Sequence, residues 1–155
     1  MFAFSNLSKM RLSTVKADLI KVANLALMHT KVDFGIVQGI RSIEEQKKNM
    51  VNGASQIMQS KHLTGEAIDV IAYVNGKGTW EDKYFYDIAE GFRMASRDLD
   101  IQIIWGASWI IKDLGKWKGT MEEAVQLYID HKKEQSIRLG KSQKPFIDAG
   151  HFELS

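Results

Sequence analysis

The chain has no cysteine among its 155 residues, which excludes disulfides and thiolate metal sites together. Any metal it holds must be bound by imidazole and carboxylate. Other chemical signatures are missing too: no Gly-x-x-x-x-Gly-Lys-Ser/Thr phosphate cradle, no His-Glu-x-x-His helix and no Gly-x-Ser-x-Gly elbow occurs. Low-complexity segments are absent, and the composition argues against a membrane span. The apolar stretch from Leu19 to Leu27 is interrupted by Lys21 and Asn24 at helical period, so it reads as an amphipathic helix. Residues 1–9 lack a basic start followed by an apolar core, so no signal peptide is expected and synthesis in the cytoplasm is. An excess of one charge is lacking as well. Net charge is +2 with a pI near 8.7, compatible with an anionic polymer such as a bacterial wall and far from a nucleic-acid footprint.

What is present is ordinary for a globular protein: 45% hydrophobic and 26% charged residues, in a length suited to one domain with a proper core. Ser13-Thr14 offers an N-cap for a helix reaching about Thr30, and residues 33–38 have the composition of a short strand broken by Gly39. Ser42 with Glu45 is a capping-box pair, placing Arg41 at a strand-to-helix junction before a helix to about Asn52. Residues 53–61 read as loop, 66–74 as a buried strand, and Asn75-Gly76 as a tight turn. Phe85, Ile88, Ala89, Phe92, Ala95 and Leu99 mark a helix over 80–99, with a strand following at 101–105 and ending at Gly106. A helix over about 121–135 lies within a segment, 110–144, that reads as an insertion; its basic cluster, Lys132, Lys133, Arg138, Lys141 and Lys144, reads first as a solvated face. A final strand spans 150–154. Helices first, with strands distributed without regular alternation, predict a single α+β domain over 1–155 with a small antiparallel sheet flanked by helices.

The chemistry concentrates in two places. Residues 60–69 read Ser-Lys-His-Leu-Thr-Gly-Glu-Ala-Ile-Asp, and residues 148–151 read Asp-Ala-Gly-His. His62, Asp69 and His151 form a donor set that suits Zn2+, and three protein ligands leave a fourth tetrahedral position for water. Asp148 is then available as a base; its competing reading is a turn cap or an orienter of an imidazole. His29, at a helix end, and His131, on the 121–135 helix, read as surface residues.

The pattern Ser60-x-His62-x-x-Gly65-x-Ala67-x-Asp69 with Asp148-x-x-His151 resembles the VanY-like branch of the LAS-type zinc peptidases. Within it the chain is most similar to small phage L-alanyl-D-glutamate endopeptidases, sharing Val37-Gln38-Gly39-Ile40-Arg41, Asn52-Gly53 and Gly150-His151-x-Glu153-Leu154. The resemblance implies a LAS/D-Ala-D-Ala-peptidase-like fold, with His62, Asp69 and His151 on zinc, Asp148 as catalytic base and Arg41 on the substrate or the developing oxyanion. It implies a phage endolysin that cleaves the L-alanyl-D-glutamate bond of peptidoglycan stem peptides and lyses the host after holin-dependent release from the cytoplasm. A monomer with no nucleic-acid partner and no stable membrane insertion is expected. Two departures stand out: the length of 110–144, and Ser108 where the branch usually carries aspartate.

Alternatives remain at this point. A D-alanyl-D-alanine carboxypeptidase would use the same constellation, and a non-catalytic zinc-stabilised wall-binding module would keep the metal without the reaction. Arg41 could pair with Glu44 or Glu45. Ser60 and Gln46 read as structural, holding the loop and sitting on a solvated helix face respectively, ahead of substrate contacts. Trp105 and Trp109 read first as core and second as cleft lining. Glu153 is left open.

Overall fold

Alternation along one strand decides which side chains enter the core and which are left for chemistry. The computed structural model describes residues 1–53 and 60–155. In strand β2 (Ala67–Val74), Ile68, Val70 and Ala72 are fully buried on one face, whereas Asp69 belongs to the opposite face. Strand β1 (Asp33–Gln38) pairs antiparallel along one edge of β2. The other edge is shared: β5 (His151–Leu154) pairs with Ala67–Asp69, and β3 (Lys77–Thr79) with Ala72–Val74. Strand β4 (Ile103–Trp105) completes the sheet on the far side of β5, giving the order β1-β2-β5-β4.

The helices cover the apolar face. Helices α2 (Ala17–His29) and α4 (Asp82–Leu99) pack together against it, closely enough at Gly91 that an added Cβ would lie 2.9 Å from the Ala26 carbonyl oxygen. Phe92 of α4 stacks on Phe152 of β5 with ring centroids 3.8 Å apart, and Phe34 of β1 lies 5.4 Å from Phe92. Each such ring removed from water contributes roughly 1.5–3 kcal/mol. Two further helices start with the expected chemistry: α3 (Ile43–Val51) has the Ser42–Glu45 capping box, and α5 (Met121–Leu139) has another from Thr120 and Glu123. From α5, Met121, Ala124 and Val125 enter the core, as does Leu114 from the preceding 3₁₀ turn, so the segment 110–144 is packed into the domain.

The α+β fold with a small antiparallel sheet is as the sequence predicts, but several boundaries differ. Ser13 and Thr14 do not start a helix: their hydroxyls donate to the carbonyls of Met10 and Arg11 and close a short helix, α1 (Asn6–Leu12), that periodicity does not reveal. Helix α2 begins later, with Lys16 at its N-cap and no side-chain cap bond. A seven-residue helix has little intrinsic stability, and α1 is held by burying Ser8 and Leu12. The Asn75-Gly76 turn forms with φ of 53° and 76°, as a two-residue hairpin requires, but its return strand β3 is only three residues long. Helix α4 starts at Asp82, after Trp80, and β4 starts at Ile103; α5 runs to Leu139, where Gly140 adopts a φ of 66°. Most of the expected loop at 53–61 lies outside the described residues. Among the described residues, no helix is long and apolar enough to cross a membrane.

Candidate metal centre

The two sequence motifs meet by strand pairing. Asp69 of β2 and His151 of β5 are register partners, so both side chains leave the sheet on the face opposite the core. His151 Nδ1 lies 3.1 Å from Asp69 Oδ1. His62 arrives from a 3₁₀ turn (Lys61–Thr64), whose start is capped by Ser60: the Ser60 hydroxyl oxygen accepts from the His62 amide at 3.2 Å. Gly65 closes that turn with φ of 73°, and its carbonyl accepts from the Lys16 amide, tying the motif to the start of α2.

The loop after β1 holds His62 from the other side. The Arg41 amide donates to the His62 carbonyl at 2.9 Å, and His62 Nδ1 donates to the Gly39 carbonyl, also at 2.9 Å. With Nδ1 carrying the proton, Nε2 presents a bare lone pair. That atom is buried without a hydrogen-bond partner among the described residues, although Asp69 Oδ2 lies 3.2 Å away at an unsuitable angle. A buried unsatisfied nitrogen is costly unless it serves an absent group. The ligand-capable atoms of His62, Asp69 and His151 all lie within 4.8 Å of one another, close enough together to hold a metal ion. The donor set fits zinc, and each histidine has its second nitrogen fixed by a neighbour, as metal-ligating histidines usually do.

Electrostatics sharpen the arrangement. Burial would raise the Asp69 carboxyl, but the hydrogen bond and charge of His151, with the His62 ring beside it, outweigh it and hold Asp69 far below the usual carboxylate range. Burial would likewise lower His151, yet Asp69 and Glu153 raise it to about 9. Asp148 moves the other way: burial and the neighbouring Asp69 charge push its carboxyl up, only partly opposed by His151, His62 and Arg41. It is thus a half-buried carboxyl shifted toward neutrality beside the metal-ligand group.

Arg41 does not pair with Glu44 or Glu45. It is buried, with Nε and Nη2 donating to Gln38 Oε1 at 3.2 and 2.9 Å, Nη1 to Gln46 Oε1 at 2.5 Å, and Nη2 to Asp69 Oδ2 at 3.3 Å. The solvated reading of Gln46 is therefore corrected: Gln46 is fully buried on the inner face of α3. A register shift between Ile36 and Gln38 re-aims the end of β1, bringing Gln38 opposite Asp69. The structural reading of Ser60 matches its cap bond. Of the tryptophans, Trp105 is core; Trp109 is half-buried, donates to the Phe146 carbonyl at 2.8 Å and lies 5.1 Å from the His151 ring centroid. Ser108 is buried and donates to the Ala124 carbonyl at 2.7 Å. His29 and His131 lie away from the cluster, His29 pairing with Asp98 at 3.0 Å.

A cleft of about 630 Å³ runs over the cluster, with Gln38 and Arg41 among its lining residues together with Trp109, Tyr128, Phe146 and Asp148. Gln38, Tyr128 and Phe146 escape a reading of the sequence, because nothing local marks them. Glu153 had a usable signal: two residues past His151 on a strand, it shares that residue's face.

Comparison with known proteins agrees with this geometry. The family model for phage L-alanyl-D-glutamate peptidases matches residues 1–155. The chain belongs to that family. It is 42% identical over 112 residues to the L-alanyl-D-glutamate peptidase of Escherichia phage T5, covering 70% of this chain and 82% of that one. It is 35% identical over 97 residues to the L-alanyl-D-glutamate peptidase of Listeria phage A118, covering 60% of this chain and 34% of that one. Its structure is similar to the crystal structure of the Serratia marcescens L-Ala D-Glu endopeptidase ChiX, with a TM-score of 0.69 and 30% identity over 99% of this peptidase and 90% of ChiX. The resemblance read from the two motifs is thereby borne out, and this chain is a hydrolase of the peptidase class.

Proposed function

We propose that this peptidase hydrolyses the L-alanyl-D-glutamate bond of peptidoglycan stem peptides with a zinc ion held by His62, Asp69 and His151. The observation that carries the reading is the bare, buried Nε2 of His62, facing Asp69 beside His151. Zinc held there would lower the pKa of a water to about 7 and polarise the scissile carbonyl.

The chain's own residues supply the rest. Asp148, half-buried and shifted upward, takes the proton from the attacking water and delivers it to the departing amine of D-glutamate. Arg41 stands with its positive charge fixed beside Asp69 and helps hold the substrate carbonyl as charge develops on its oxygen. Among the described residues, four of its five N–H donors are engaged. Trp109 packs against His151, with ring centroids 5.1 Å apart. The segment 110–144, which we read as an insertion, contributes Tyr128 to the cleft wall.

The biological reading follows: an endolysin that acts as a monomer, waits in the host cytoplasm and reaches the wall through holin-formed openings. The deciding experiment is mass spectrometry of products from zinc-loaded protein incubated with purified peptidoglycan. New carboxyl-terminal L-alanine on the glycan side and new D-glutamate amines are expected. Released D-alanine instead would reassign the bond, and absence of cleavage with zinc bound would leave a wall-binding module.

A further inference from the structure

Three features lie outside the reaction as described: the shallow basic groove formed by α5 and residues 142–145, the buried Oδ1 of Asp33, unpaired among the described residues, and the ion pair between Lys61 and Glu153. The third carries an inference. We propose that Glu153 and Lys61 are positioning residues for the metal centre: Glu153 fixes the tautomer and orientation of His151, and Lys61 braces Glu153 against the turn that carries His62. This rests on the zinc reading above.

The geometry is specific. His151 Nε2 donates to Glu153 Oε1 at 2.8 Å, while Nδ1 of the same ring faces Asp69. The two nitrogens of an imidazole diverge, so a carboxylate on Nε2 lies on the far side of the ring from the metal-ligand group. Glu153 is therefore placed to hold the ring, with Nδ1 left as the coordinating atom, and is not placed as a fourth ligand. Its other oxygen, Oε2, lies 3.1 Å from Lys61 Nζ, and the same ammonium donates to the Leu154 carbonyl. Lys61 directly precedes His62, and Glu153 follows His151 by two residues on the same strand face. The pair thus links the two halves of the site independently of Asp69. The register partner of Glu153 on β2 is Ala67, a small residue. A lysine whose only task was solvation would have no reason to fold back onto a carboxylate and a carbonyl of the strand that carries the second histidine.

The test uses the full chain as wild type, Glu153→Gln, Glu153→Ala and Lys61→Met. Zinc affinity is measured by chelator competition, and the His151 ring is followed by long-range 1H–15N NMR. In zinc-loaded wild type, Nε2 is expected to be protonated, with its hydrogen protected from exchange. Glu153→Ala is expected to weaken the zinc Kd about 10–100-fold and to lose that protection. Glu153→Gln keeps an acceptor, so it should keep the protected hydrogen and lose less than about tenfold in affinity. Lys61→Met should fall between wild type and Glu153→Ala. Wild-type affinity and an unchanged Nε2–H signal in Glu153→Ala would overturn the proposal. If Glu153→Ala fails to fold, unchanged zinc affinity in Lys61→Met or a lost Nε2–H signal in Glu153→Gln would do so. Failure of the wild type to bind zinc would instead overturn the zinc reading, and Nε2–H protection in the metal-free proteins would still decide the role of Glu153.

Discussion

Gly106 and Asp148 are joined through their backbones: the Asp148 amide donates to the Gly106 carbonyl at 2.9 Å, and a Cβ built on Gly106 would lie 2.3 Å from the Asp148 carbonyl oxygen. The Gly106 amide in turn donates to the His151 carbonyl at 2.8 Å, and the His151 amide to the Asp148 carbonyl at 3.1 Å. The Asp-x-x-His turn is therefore seated on one residue at the end of β4, and no side chain fits between them. Gly106→Ala should displace Asp148 and His151 together. A misplacement on the order of 1 Å near the chemistry costs about 100-fold in rate, and overpacking costs about 1–3 kcal/mol of stability. Product formation and a thermal melt measure the two effects; wild-type activity in a folded Gly106→Ala would show that the turn does not depend on this contact.

Under the proposed function, Asp148 and His151 differ by role although they share a turn. Asp148→Ala removes a proton carrier and should keep zinc while hydrolysis falls about 100- to 10,000-fold. His151→Ala removes a ligand and should lose both. Zinc content by elemental analysis, alongside the product assay, separates them, and equal metal loss in the two variants would contradict the division of labour.

How much of this was legible in sequence depends on whether a residue acts locally. The Ser42–Glu45 capping box, the Asn75-Gly76 turn and the periodic core of α4 are short-range patterns, and each appears as read. That His62, Asp69 and His151 come together was legible because ten contiguous residues and a four-residue echo carry the pattern. Its opposite half was not: Gln46 looks like a solvated helix residue until α3 folds over Arg41, and only tertiary packing turns it inward. Gln38 is aimed by a register shift that no residue type announces. Helix α1 was invisible for a related reason, since seven residues are too few for a period and its stability comes from what it buries.

Arg41 is a fork gripping three partners, so lysine is not a conservative replacement. Arg41→Lys keeps one positive charge but cannot span Gln38, Gln46 and Asp69 together. Leaving buried polar partners unsatisfied costs about 1–3 kcal/mol. The expected outcome is a lower melting temperature with kcat reduced more than KM is raised, measured by calorimetry and steady-state kinetics. Unchanged kcat would remove Arg41 from the reaction and leave it a structural clamp.

Protons and zinc should compete at His151. In the metal-free protein burial would lower its pKa, but Asp69 and Glu153 raise it from 6.5 to about 9. A raised folded-state value means that the ion pairs contribute their full stability below about pH 6.5 and lose it as pH climbs through 9. Zinc uptake at pH 7 must therefore expel a proton from the ring, and apparent affinity should rise by about tenfold per pH unit toward pH 9 before levelling. Calorimetric titration in buffers of different ionisation enthalpy counts the released proton directly. Affinity that stays flat between pH 7 and 9 would mean that His151 is already neutral when the metal arrives, and that its contacts with Asp69 and Glu153 do not hold a second proton.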